Sequence, residues 1–154
     1  MVSRRGPSGS ISLKTMRFPI AILALAGVVV SALALQVHYS TATEPCSINE
    51  KWDCGIVNHS PYAEIAHIPV AVLGIVGYLA MAGFALARRR AALTALAIAG
   101  FAFALYLSHI EKDVLGVWCL YCVISQGIIA VVMLLSLGWL TTEHLAKRRA
   151  KALA

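Results

Sequence analysis

The sequence predicts an all-α integral membrane protein, a four-helix bundle with a short surface helix in its first outward loop. Hydrophobic residues make up 60% of the 154 residues and charged residues only 13%, which is atypical of a soluble domain. Four apolar runs each approach the ~20 residues that a helix needs to cross the hydrocarbon core. In lipid, a helix satisfies all its backbone hydrogen bonds within one segment. The predicted helices cover about residues 18–37, 68–87, 91–108 and 117–140.

The positions of the basic residues predict the orientation. Of the 13 lysines and arginines, all except Lys51 and Lys112 lie before the first run, between the second and third, or after the fourth. These three segments share one side of a four-helix membrane protein, and the positive-inside rule places that side in the cytoplasm. Residues 1–17 are predicted to be a disordered cytoplasmic tail, and residues 141–154 a basic one. We expect these segments to contact membrane lipid, and we expect no nucleic-acid site.

All four cysteines then lie on the outward side. Cys46 and Cys54 belong to the first outward loop, whereas Cys119 and Cys122 form a C-x-x-C pair where the fourth helix begins. That spacing places both sulfurs on one helix face, and the positive end of the helix dipole stabilises a thiolate on the first cysteine. A loop pair beside a pair at the membrane surface is suited to passing a disulfide by thiol exchange. Two static disulfides, or a zinc site, are the alternatives.

A few other residues have a predicted role. Ser60 and Pro61 are typical of a helix start, which predicts the surface helix over residues 61–67. Tyr78 is expected to be buried in the second helix. Gln126 in the fourth helix should find a partner on a neighbouring helix or on a ligand carbonyl. Because the sequence carries no haem, flavin or iron–sulfur motif, a lipid-soluble quinone is the expected electron carrier, and no metal site is predicted.

Together these patterns resemble the vitamin K epoxide reductase family, in its compact bacterial form, over about residues 18–140. Each motif alone is weak evidence for the family, but the combination of motifs is specific to it. The matching features are Cys46 and Cys54 with seven residues between them, Ser60 six residues later, the Ile68-Pro69, Gly74 and Gly77-Tyr78 pattern of the second helix, and the segment from Trp118 to Val123.

The resemblance implies a four-helix bundle around a quinone, of the ubiquinone or menaquinone class, with the loop helix as a lid. It implies that Cys122 meets the quinone and that Cys119 is its resolving partner. It also implies that Cys54 exchanges with Cys119, that Cys46 meets an external protein, and that Ser60 lies near the redox centre.

Two positions depart from the vertebrate pattern. Val70 and Gln126 occupy the places of an Asn and a Tyr that hold the quinone oxygens in vertebrate members. This disfavours vitamin K epoxide reduction, although Gln126 could still donate to a quinone. The predicted quinone-binding residues are Cys122, Gln126, Val70 and Tyr78.

The predicted function is a membrane thiol-disulfide oxidoreductase that passes electrons from a reduced partner through the two cysteine pairs to a quinone, and so generates disulfides for protein folding. The chain ends at Ala154 without a thioredoxin-like domain, so the expected partner is a separate thioredoxin-fold protein of the DsbA type. The expected location is the bacterial inner membrane, with both termini cytoplasmic and the cysteines periplasmic. The alternatives are a quinone or vitamin K epoxide reductase that uses the same cysteines, and a structural membrane protein with two static disulfides.

Overall fold

The structure is a computed structural model that describes residues 15–41 and 46–153, apart from the side chain of Lys147. Most of the predicted N-terminal tail lies outside these residues. The described chain is mainly helical, as the composition predicts. Its elements are α1 (Arg17–Tyr39), α2 (Cys54–Asn58), a 3-10 turn (Pro61–Ala63), β1 (Glu64–Ile65), β2 (Ile68–Pro69), α3 (Val70–Leu86), α4 (Arg90–Ile110), a π turn (Glu111–Leu115) and α5 (Leu120–Ala152).

Three helical segments are long and apolar enough to cross a membrane. They are Arg17–Tyr39, Arg90–Leu115 and Leu120–Ala152. The remaining long helix, α3, is on average more apolar than these but has only 17 residues, which corresponds to a length of about 26 Å. By the length and composition of these helices, the chain is a membrane protein.

The four long helices pack around one apolar core. Helix α1 lies against α3 and α5, and α4 lies against α5 and α3. The approach of α1 to α3 is close because Gly27 has no side chain: a Cβ there would lie 2.5 Å from atoms of the Tyr78 ring. Small residues in this role are typical of helix pairs in membranes. The buried core includes Ile20, Ala24, Tyr78, Leu93, Val132 and Trp139.

The first outward loop differs from its prediction. Residues 61–67 do not form a continuous surface helix, because the 3-10 turn is followed at once by the β1–β2 hairpin. Ala66 and His67 have φ values of 51° and 64° in the hairpin turn, and Pro69 disfavours a helical conformation at Ile68. The helix of this loop is instead α2, at the second cysteine.

The fourth predicted helix is also longer than expected. Helix α5 continues to Ala152, past the predicted end at residue 140. From Thr141 to Ala152 this extension contains three Ala, two Lys and two Arg, which favour a helix in water. The apolar run therefore marks the lipid-compatible part of the helix and not its end.

Candidate active site

The loop cysteines form a disulfide, Cys46–Cys54. Asp53 caps the helix that begins at Cys54: its Oδ1 accepts hydrogen bonds from the Ile56 N–H and from the Ser47 hydroxyl, both at 3.0 Å. The Ile56 bond, above all, holds the pKa of Asp53 below its ordinary value, because it favours the charged form. The cap fixes the start of α2, and with it the position of Cys54.

The same loop is joined to the C-x-x-C segment through its backbone. The Trp118 N–H donates to the Lys51 carbonyl at 2.8 Å, and the Asp53 N–H donates to the Trp118 carbonyl at 3.0 Å. The rings of Trp52 and Trp118 also lie near each other, with centroids 6.5 Å apart. This short parallel bridge brings the segment before Cys54 alongside the segment before Cys119.

Cys119 is buried beside the loop disulfide. Cys46, Cys54 and Cys119 belong to one buried apolar cluster, and neither Cys54 nor Cys119 is exposed. Cys122 packs against the edge of this cluster. The cysteines of the loop and of the C-x-x-C motif, far apart in sequence, therefore meet in one place.

Cys119 precedes the first turn of α5 and has three polar neighbours. The Asn58 amide donates to its sulfur at 3.5 Å, and its own N–H donates to Glu111 Oε2 at 3.1 Å. Cys119 and Cys122 are free thiols. A hydrogen bond from Cys122 lowers the pKa of Cys119, and Asn58 adds to this effect, whereas burial and the charge of Glu111 oppose it. Cys119 is therefore the more readily ionised thiol, on the side that faces the loop disulfide.

Cys122 faces a different space. It lines a cavity of about 260 Å³ between the four long helices, and Cys119 is not part of the cavity wall. The wall is mostly apolar, as in pockets that hold small organic ligands. Its polar members include Asn58, Ser60, Tyr78, Glu111 and Ser125.

The predicted quinone-binding residues do not all reach this cavity. Val70, Tyr78 and Cys122 line it, and so does Ser60. Gln126 does not: its Oε1 accepts a hydrogen bond from the Ser108 hydroxyl at 2.7 Å, on the neighbouring helix α4. Ser60 donates to the Val57 carbonyl at 2.7 Å and makes no side-chain cap.

Three residues of the site were not predicted from the sequence. Asn58 contacts Cys119 from 61 positions away and Glu111 from eight, and Ser125 accepts a hydrogen bond from the Tyr78 hydroxyl at its carbonyl, at 2.8 Å. The C-terminal position of Asn58 in a five-residue helix and the acidic Glu111 in a short polar turn are weak signals. Their contacts with Cys119 arise from the tertiary structure and not from a local sequence pattern.

Comparison with known proteins decides the family. The model of the Vitamin K epoxide reductase family matches residues 18–137, most of the chain. The chain belongs to this family. Vitamin K epoxide reductases are membrane redox enzymes that act through cysteines on a quinone or vitamin K, and they normally work with thioredoxin-like partners. A search of curated proteins gave no match.

The cavity suits the carrier that the vitamin K epoxide reductase family uses. A quinone is a flat, largely apolar ring, and the cavity lies between apolar helices with a cysteine in its wall. Ser60, Tyr62 and Tyr78, which carry hydroxyl groups, are among its polar lining residues. These residues match the pattern of an apolar pocket with a small number of polar groups that orient the ligand.

Proposed function

We propose that this protein passes electrons from a reduced thioredoxin-fold partner, through Cys46/Cys54 and then Cys119/Cys122, to a quinone in the cavity. Disulfides move in the opposite direction and are supplied to folding proteins outside the membrane. One observation supports this order above all others. Cys119 is buried with the loop disulfide, whereas Cys122, three residues later, lines the cavity.

The first transfer takes place in the loop. Two thiols of the partner reduce the Cys46–Cys54 disulfide by thiol exchange, with Cys46 as the sulfur that the partner attacks. The Cys54 thiolate then attacks Cys119 of an oxidised C-x-x-C pair and releases the Cys122 thiolate. Attack by Cys46 on the mixed Cys54–Cys119 disulfide restores the loop disulfide and leaves both C-x-x-C sulfurs reduced. The structure, with its loop disulfide and two free thiols, matches this stage.

The second transfer takes place at the cavity. A bound quinone supplies a two-electron, two-proton acceptor. Cys122 lies in the wall where its sulfur can meet that acceptor, and Cys119 is placed to close the Cys119–Cys122 bond. Two electrons and two protons leave the pair as this disulfide forms. The apolar walls exclude water from the reacting sulfurs.

We also propose a location in the bacterial inner membrane, with both termini cytoplasmic and the cysteines outside. The basic linker at Arg88–Arg90 and the basic end of α5 support this orientation, because they lie at the helix ends opposite to the cysteines. The quinone would be of the ubiquinone or menaquinone class, drawn from the bilayer between the helices.

Anaerobic quinone reduction by the purified protein tests the proposal. The electron donor is either a reduced thioredoxin-fold oxidase or a small dithiol, and the variants are Cys54→Ala and Cys122→Ala. We expect Cys122→Ala to abolish quinone reduction with both donors. We expect Cys54→Ala to abolish only the partner-driven reaction, because the small dithiol can reduce the C-x-x-C pair directly.

Two results would contradict the proposal. If the wild type reduces no quinone with either donor, the cavity does not serve a quinone. If the wild type and both variants reduce quinone at the same rate, the cysteines are structural and the relay is wrong.

A further inference from the structure

Glu111 is a buried acidic residue. Its side chain is only 2% exposed, and it is the one buried acid among the residues that the structure describes. The ion pairs found within residues 15–41 and 46–153 involve other acids, namely Glu64, Asp113 and Glu143. Burying a carboxylate costs free energy unless hydrogen bonds or a counter-charge offset the cost. The burial of Glu111 without a cation therefore calls for a reason.

The contacts of Glu111 are with the C-x-x-C pair. Its Oε2 accepts the N–H of Cys119 at 3.1 Å, and its carboxyl group interacts with the Cys122 thiol. The same residue lines the cavity next to Cys122. The N–H at a helix start is a favourable partner for a carboxylate, and this bond holds the Glu111 side chain at the C-x-x-C pair.

The proposed reaction needs a proton acceptor at this place. Free thiols are protonated at neutral pH, but the thiolate is the form that reacts. When Cys119 and Cys122 join, two protons must leave the pair and two must reach the reduced carrier. Water is scarce in an apolar cavity, so a protein group in contact with the thiols has to move them.

We infer that Glu111 is the proton-transfer residue of the C-x-x-C pair. Its carboxylate takes the proton of the Cys122 thiol, hands it to a carrier oxygen in the cavity, and returns to the charged form. Glu111 then transfers the proton of Cys119 to the carrier in the same way. The carrier thus receives two electrons and two protons from the two thiols, which form the Cys119–Cys122 disulfide. The inference rests on the proposed function, because it assigns a role within the same reaction.

Other titratable groups are less suited to this role. Lys112 and Asp113, in the same turn, are exposed, and Asp113 is paired with His109. Tyr62 and Tyr78 line the cavity, but phenols are poor proton acceptors while neutral. Among the described acids, Glu111 alone is both buried and hydrogen-bonded to the C-x-x-C pair, through the Cys119 N–H.

Glu111→Gln and Glu111→Ala separate proton transfer from positioning. Gln keeps the side-chain shape and an oxygen for the Cys119 N–H, but it does not accept a proton at neutral pH. Ala removes both functions. The matched control is Asp113→Asn, which neutralises an exposed acid two residues away.

Two quantities should fall in Glu111→Gln: the rate of quinone reduction and the pKa of Cys119. Quinone reduction should slow by about 100-fold or more, the usual loss when a general base is removed. The thiolate absorbance of the reduced protein, titrated without quinone, should show a lower pKa for Cys119, because the charge of Glu111 opposes ionisation of that thiol. Raising the pH should reduce the rate defect, since hydroxide then ionises the thiols. Asp113→Asn should change neither quantity.

The inference fails if Glu111→Gln reduces quinone at the wild-type rate while Glu111→Ala is slow, since the residue then only positions Cys119. It also fails if the thiolate titration is the same in Glu111→Gln and in the wild type, because the carboxylate then does not act on the thiols. A wild type that reduces no quinone would contradict the proposed function itself. The same assay on the wild type therefore distinguishes the two failures.

Discussion

The side-chain amide of Asn58 donates to the sulfur of Cys119 at 3.5 Å across 61 positions of sequence. The same nitrogen donates to the Cys54 carbonyl at 2.9 Å. One buried amide thus connects the helix that carries a loop cysteine to the thiol with which that cysteine would exchange. Thiol exchange requires the sulfurs to approach one another, so this link would serve the proposed transfer between the two pairs.

Asn58→Ala should weaken this connection. Without the amide donor, the pKa of Cys119 should rise, because a hydrogen bond that favours the thiolate is lost. We expect the free energy of unfolding to fall by about 1–3 kcal/mol, since the Cys54 carbonyl also loses the hydrogen bond from the Asn58 amide in a buried site. Thiolate absorbance titration and unfolding in micelles measure the two effects. Lys51→Ala, in the exposed part of the same loop, is the control, and an equal response in both variants would contradict the prediction.

The long helices could be predicted from the sequence because their signal is local. An apolar run that must satisfy its backbone in lipid has few alternatives to a helix, and α1 lies within two residues of its predicted bounds. The place of Cys119 and Cys122 at a helix start is likewise set by a local change, from a polar turn to an apolar run. Hydropathy did not show the polar end of α5, because that extension depends on helix propensity and on the ion pair between Glu143 and Arg90 of α4, not on an apolar run.

The contacts around the sulfurs could not be predicted in the same way. Glu111 reaches Cys119 because a π turn follows α4, and nothing in the sequence of that turn shows which of its charged residues points inward. Gln126 shows the same limit. Its two possible partners, a helix or a ligand, were equivalent in sequence, and the structure pairs it with Ser108.

Gly27→Ala should disturb the contact between α1 and α3. The new methyl group would lie 2.5 Å from three atoms of the Tyr78 ring, which is buried and held at its hydroxyl by the bond to Ser125. We expect a loss of about 1–3 kcal/mol in the free energy of unfolding. Gly83→Ala in α3 is the matched control, because its methyl would meet nothing within 4 Å and should favour the helix by up to about 1 kcal/mol. Equal stability of the two variants would show that the close approach is not required.

Tyr78→Phe tests the polar side of the cavity. The hydroxyl that is lost lies within 2.9 Å of the Ser125 hydroxyl and donates to the Ser125 carbonyl. Phe makes neither contact, so the Ser125 side chain in the cavity wall is less well oriented. A neutral hydrogen bond contributes about 1 kcal/mol, which corresponds to roughly a 5-fold rise in the KM for quinone with little change in kcat. Tyr106→Phe removes an exposed hydroxyl from α4 and should leave KM unchanged. A similar KM for the two variants would remove Tyr78 from the quinone site.

The cap at Asp53 should make the disulfide loop sensitive to acid. The pKa of Asp53 is lower in the folded protein than its ordinary value of 3.8, so the charged form stabilises the fold. That contribution is fully present above 3.8 and is lost as the pH falls through the lower, folded value. The Ile56 amide, which donates to Asp53, should then lose hydrogen-exchange protection by about 5-fold, equivalent to a cap of about 1 kcal/mol. Asp53→Asn keeps a capping oxygen that does not titrate. Hydrogen-exchange protection of the Ile56 amide should therefore not fall at low pH in this variant, whereas it should fall in the wild type. A step of equal size in Asp53→Asn would mean that another group controls the loop.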